Sequence, residues 1–101
     1  MTPVRFLRDA QRELVETARY YERCSSGLGG SFLDEIARVV EFLSNHPEAG
    51  RPLGSGYRRL LAQRFPYALI YRVTDKGVIC VAVAHARRDP GYWRRRNRRS
   101  T

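Results

Sequence analysis

Apolar residues recur at helical spacing between positions 10 and 43 and at the spacing of extended strands between 57 and 85. In the first stretch, Ala10, Leu14, Ala18 and Tyr21 follow at intervals of four, four and three, with Arg12, Glu13, Glu16, Arg19 and Arg23 mostly off the stripe. That is the pattern of an amphipathic helix, and Asp9 stands where its N-cap belongs. The pattern breaks at Ser25-Ser26-Gly27, where small residues and a glycine interrupt it. A second stripe, Phe32, Ile36, Val39 and Leu43, is flanked by Leu33, Ala37 and Val40 and ends at Asn45-His46-Pro47. Its wide apolar face predicts a helix buried along most of one side. So short a break between the two predicts an antiparallel helical hairpin.

Residues 47–56, with two prolines and three glycines, read as one long connection. Beyond it, Tyr57 to Arg64, Tyr67 to Val73 and Val78 to His85 are strand-length segments, and Val4 to Leu7 predicts a brief strand ahead of the first helix. Thr74-Asp75-Lys76-Gly77 has turn composition and predicts a hairpin between the last two strands. Strict alternation puts Val78, Cys80, Ala82 and Ala84 on one face of the last strand and Ile79, Val81 and Val83 on the other. Apolar on both sides, this strand is expected at the centre of the sheet with both faces covered. A helical hairpin covers only one face, so the C-terminal segment or another protein must cover part of the other. The expected fold is α+β, in the order β-α-α-β-β-β, with the helical hairpin packed on a small antiparallel sheet. Residues 1–93 form the domain, with Tyr92 and Trp93 packed on the sheet, and residues 94–101 form a basic tail.

Charge adds a direction to this picture. Residues 1–50 carry six Arg against eight Asp and Glu, a net of −2, and residues 51–101 carry twelve Arg and one Lys against Asp75 and Asp89, a net of +11, which together give the total of +9. Arginine-favouring codon usage explains Arg over Lys and leaves the imbalance between halves unexplained. The second half therefore calls for a polyanionic or acidic partner, nucleic acid or an acidic protein segment. The longest apolar run, Val78 to Ala84, is far short of the ~20 residues of a membrane-spanning helix. With no secretory signal pattern, a cytoplasmic protein is expected. Cys24 and Cys80 are too few and too far apart for a disulfide scaffold, and with His46 and His85 they lack metal-ligand spacing; two reduced thiols, no metal and no cofactor are expected. Cys80 and His85, five positions apart on one strand, fall on opposite faces by alternation, against their acting as a nucleophile and base.

Four phrases, in order and nearly spanning the chain, carry a resemblance: Tyr20-Tyr21-Glu22; Gly27-Leu28-Gly29 followed by Phe32 and Glu35-Ile36; Arg64-Phe65-Pro66-Tyr67 with Tyr71; and Ala82-Val83-Ala84-His85 followed by Arg88-Asp89-Pro90 and Tyr92-Trp93. In these the chain resembles the RelE/ParE superfamily of bacterial type II toxin–antitoxin toxins, and its ParE-like branch most. The resemblance implies a cognate antitoxin whose acidic, amphipathic C-terminal segment wraps the toxin and folds on binding. ParE-like members resemble inhibitors of DNA gyrase that act without chemistry of their own. RelE-like members resemble ribosome-dependent endoribonucleases that cleave mRNA, with basic side chains stabilising charge at the scissile phosphate and an aromatic or acid–base residue moving protons.

The ribonuclease set carries over incompletely. Arg59 stands for one strand lysine, Arg87 for a basic residue after the last strand, and Tyr92 or Trp93 for a tyrosine near the C-terminus. His85 offers a substitute base, imidazole being the side chain that titrates near neutral pH. Leu61 replaces a second lysine and Ala68 an arginine. The resemblance thus implies a gyrase inhibitor, with a ribonuclease using Arg59, His85, Arg87 and Tyr92 as the alternative, and a non-toxic antitoxin-binding module as a third reading. Arg58, Arg64, Tyr67, Tyr71, Arg88, Tyr92 and Trp93 are the expected partner-binding residues, with Arg58 and Arg64 on one strand face and Arg59 on the other.

Overall fold

The computed structural model describes residues 1–88 and 91–96. Strand Val4–Phe6 (β1) leads into helices Arg8–Cys24 (α1) and Leu28–Asn45 (α2), and strands Arg51–Gly54 (β2), Tyr57–Leu61 (β3), Tyr67–Thr74 (β4) and Gly77–His85 (β5) follow. The sheet order is β1-β5-β4-β3-β2. The α+β architecture is the expected one, with two additions. Part of the 47–56 connection forms β2, which pairs antiparallel with β3 through Arg51–Arg59 and Pro52–Arg58; its proline occupies an outer strand, where a missing N–H is tolerated. And β1 joins β5 in parallel, Val4 beside Val78 and Phe6 beside Cys80, so the sheet is mixed. No helix among the described residues is long and apolar enough to cross a membrane.

Two of the recurrent phrases meet in the helical hairpin. Helix α1 starts two residues earlier than expected: Leu7 is its N-cap and Asp9 lies in the first turn, where a carboxylate favours the helix dipole. Gly27 at φ 87° begins α2, and the Glu22 carboxylate accepts the Gly27 N–H at 3.0 Å and the Gly29 N–H at 3.0 Å. Glu22 therefore serves as the cap that α2 lacks locally. At Gly29 the helices touch so closely that a Cβ would stand 2.5 Å from the Ala18 carbonyl oxygen. Phe32, Ile36, Val39 and Leu43 are all buried, each contributing roughly 1.5–3 kcal/mol of apolar burial. The buried face is narrower than expected, because Leu33 and Ala37 are exposed.

Strand β5 is central, flanked by β1 and β4, but strict alternation fails within it. Tyr71 pairs with Cys80 and Ile70 with Ala82, so Val81 is an extra residue without a partner on β4. This bulge reverses the parity of everything after it. Val78, Cys80 and Val83 pack in the cluster beneath the helices, and Val81, Ala82 and Ala84 pack on the opposite side with Leu7, Tyr57, Ile70 and Trp93. The second face is covered by the C-terminal segment, whose Trp93 is 3% exposed and meets the Tyr57 ring at 4.7 Å. Of the segment 94–101, expected to be a tail, Arg96 is buried, and residues 97–101 lie outside the described residues, as does the Asp89-Pro90 of the last recurrent phrase.

Candidate functional site

Near the end of the sheet, the face under the C-terminal segment opens into a cleft of about 350 Å³. Ala68, Ile70 and Ala84, all buried, form its floor, and the two alanines leave the depression that a larger side chain would fill. Leu53, Tyr92 and Trp93 flank it, and Arg51, Arg59, Arg87 and Arg88 line it with His85. Arg51 and Arg59 are cross-strand partners on β2 and β3. Arg59 reaches across the alanine floor towards Ala86, its Nη2 3.4 Å from that carbonyl oxygen. The His85 Nδ1 accepts the Arg87 N–H at 3.1 Å, which leaves Nε2 to carry the proton of the neutral ring, and the ring stands edge-on to Tyr67 at 5.2 Å. Among the described residues no carboxylate lines the cleft. Four guanidiniums without a counter-charge make it a site for anions.

Tyr92 brings its ring to the cleft and takes its hydroxyl away. The O–H donates to Glu13 Oε2 at 2.8 Å, and burial together with that carboxylate pushes the phenol far above its usual range. Arg96 completes the cluster: Nη1 and Nη2 donate to Glu13 Oε1 and Oε2 at 2.7 and 2.8 Å. The Val83 N–H donates to Glu13 Oε1 at 3.0 Å, and Arg96 Nη1 also reaches the Val81 carbonyl oxygen at 3.2 Å. β1 ends at Phe6, and past it the outer edge of β5 would present bare backbone groups. A bidentate ion pair satisfies them in place of a strand. Sequence reasoning missed Glu13, Arg96 and Arg51. For Glu13 a signal existed, since it lies three residues after Ala10 and so on the buried stripe.

The structure brings Arg59, His85, Arg87 and Tyr92 to one cleft and scatters the expected partner-binding set over four places. Arg88, Tyr92 and Trp93 belong to the cleft. Arg58 donates to the Gly50 carbonyl at 2.8 Å while the Gly50 N–H donates to the Tyr71 hydroxyl at 2.8 Å, so these two side chains hold the α2–β2 connection, and Tyr71 is fully buried. Arg64 is exposed in the β3–β4 turn, and Tyr67 joins Tyr21 and Phe32 in an aromatic cluster. Arg58 faces the helix side with its partner Tyr71, and Arg59 faces the cleft with Ile70. The bulge puts His85 on the same side of the sheet as Cys80, the reverse of the alternation reading, so its ring packs on Tyr67 and His85 borders the cleft at the end of β5. Cys80 is nonetheless no nucleophile: it is fully buried, its thiol is pushed up by that burial, and its Sγ contacts the Ala82 carbonyl oxygen at 3.7 Å.

A family model described as the ParE toxin of the type II toxin–antitoxin system, parDE, matches residues 4–90. The chain belongs to the ParE toxin family. Among solved structures it is similar to a chromosomal ParDE toxin–antitoxin system from P. aeruginosa, with a TM-score of 0.72 and 23% identity over 84% of this chain and 96% of that one. It is also similar to the toxin–antitoxin complex RelBE2 from Mycobacterium tuberculosis, with a TM-score of 0.54 and 30% identity over 83% of this chain and 96% of that one. No curated protein matches it. In this ParE-family toxin the two positions where the ribonuclease set is apolar, Leu61 and Ala68, are direct cross-strand partners. Ala68 is buried in the cleft floor and Leu61 beside it is half exposed.

Proposed function

We propose that the chain is a toxin that inhibits DNA gyrase without chemistry of its own and is held inactive by a cognate antitoxin with an acidic C-terminal segment. The observation that carries the reading is the Tyr92 hydroxyl, bound to Glu13 and withdrawn from a cleft whose remaining polar groups are almost all permanent cations. A site of that kind binds negative charge, and its one phenolic hydroxyl is committed to Glu13 and not turned to a ligand. The antitoxin reading is supported by the unbalanced basic half and by an apolar hollow of about 310 Å³ between α2 and β3, where Phe42 is 47% and Leu61 50% exposed. An amphipathic acidic segment suits both.

Purified toxin should impair supercoiling by gyrase and leave ribosome-bound mRNA intact. Its titration with the antitoxin should weaken strongly as salt is raised, since charge pairs at an interface rim are screened. The grouping of Arg59, His85 and Arg87 in one cleft favours a second reading, a RelE-like endoribonuclease. Cleavage of mRNA at the ribosome with gyrase unaffected would establish that reading and overturn the first.

A further inference from the structure

The sheet face that holds the cleft carries two more guanidiniums, Arg72 and Arg94, and these share one style of support with Arg88. Tyr57 and Trp93 pack against each other, with Arg94 over the Trp93 ring at 4.7 Å and over the Tyr57 ring at 5.6 Å. Arg72, the cross-strand partner of Tyr57, lies over that same ring at 5.7 Å. Arg88 lies over Tyr92 at 3.8 Å. Stacking on a ring fixes a guanidinium by its flat face and leaves its in-plane N–H edges for acceptors. Among the described residues, none of Arg51, Arg59, Arg72, Arg87, Arg88 and Arg94 is in an ion pair, and the buried Arg72 Nε has no hydrogen-bond partner. The one carboxylate bound beneath them, Glu13, is already matched by Arg96.

The same stacking decides what kind of anion fits. Proteins that hold single-stranded nucleic acid offer open aromatic faces on which unstacked bases lie. Here Tyr57 and Trp93 are 8% and 3% exposed, and each aromatic ring of this face carries an arginine. Fixed forks without stacking platforms suit phosphate oxygens on a regular duplex, which are bound through charge and position and not through base identity. We propose that this face binds the sugar–phosphate backbone of duplex DNA directly and without sequence preference. The inference goes beyond the gyrase reading and stands apart from it, because it requires no gyrase.

Fluorescence anisotropy of the full chain with a short labelled duplex of mixed sequence tests it. With about four phosphates engaged, affinity should fall roughly 10²-fold between 50 and 200 mM salt. Arg87→Ala/Arg88→Ala, at exposed positions that leave the core intact, should weaken binding about tenfold or more and make the salt slope shallower by about 2. Arg19→Ala/Arg23→Ala removes the same charge from α1 in the helix layer and should change affinity less than about twofold, as expected if position and not net charge decides. Equal losses from the two pairs, absent or salt-insensitive binding, or tighter binding of single-stranded RNA or of polyglutamate than of duplex would overturn the proposal. Duplex binding by a toxin that leaves gyrase unaffected would sustain this inference and defeat the gyrase reading. Inhibition of gyrase by a toxin that does not bind free duplex would do the reverse.

Discussion

Replacing Glu13 by alanine removes four hydrogen bonds at once: two from Arg96, one from the Val83 N–H and one from the Tyr92 hydroxyl. Both charged side chains are 10% exposed, so Arg96 is left with the Val81 carbonyl oxygen at 3.2 Å and Asp9 at 3.8 Å. Breaking one side of a buried pair costs about 3–5 kcal/mol, and an orphaned backbone N–H adds about 1–3 kcal/mol. The sum is an upper bound, since a long arginine side chain released from its partner can turn towards water, so we expect a loss of about 3–5 kcal/mol, much of the stability of a small domain. Arg96→Ala should also destabilise, and Glu13→Ala/Arg96→Ala should lose less than the two single losses added, by about 2 kcal/mol or more within the range of coupled pairs. Urea unfolding read by far-UV circular dichroism gives these values. Trp93, the chain's one tryptophan, reports separately on the C-terminal segment, and in Glu13→Ala its emission should shift at lower denaturant than the dichroism. Additive losses, or a Glu13→Ala variant within about 1 kcal/mol of the parent and with an unchanged Trp93 signal, would refute the assignment of the cluster as a latch.

Three more outcomes follow from the same geometry. Ile36→Ala should lose roughly 2–5 kcal/mol in thermal melts, and no loss would remove that helix face from the core. Tyr92→Phe should lower stability by about 1.5–3 kcal/mol through its charge-assisted bond to Glu13 and leave toxicity intact; a large loss of toxicity in a folded variant would return the hydroxyl to the cleft chemistry. Glu35, held by the Gln63 N–H and by Arg38, has its carboxyl below the usual range. Its stabilising contribution is complete above the unfolded carboxylate value of about 4.3 and is lost as pH falls through the lower folded value. Stability of Glu35→Gln should therefore vary less with pH across that acid window, and identical slopes for parent and variant would count against the bond.

Much of this architecture was legible because it rests on period. Phe32, Ile36, Val39 and Leu43 announce a helix face, and a strand apolar on both sides announces the middle of a sheet. The bulge at Val81 was illegible for a related reason: in a run from Val78 to Ala84 that is apolar throughout, slipping parity by one leaves every position apolar, so no alternation betrays it. The β2 strand was hidden by Pro52 and Gly54, which argue for a loop until β3 supplies a partner. At the site, the cations clustered by sequence, but what separates an acid–base tyrosine from a packed one is where its hydroxyl points. That direction depends on a carboxylate 79 positions away, a relation that local spacing does not encode.

Closing the edge of β5 with Arg96 makes completion of the domain a matter of timing. Synthesis proceeds from the N-terminus, and the arginine that pairs with Glu13 arrives 83 residues after it. Helices α1 and α2 can pair early, while β5 is the last strand to emerge and its closing residue follows it. A nascent toxin is therefore incomplete until Arg96 has left the ribosome. Stalled chains carrying a C-terminal extension that clears Arg96 from the ribosome should resist protease where chains stalled at residue 96 do not, and equal resistance would show that the domain closes without its latch.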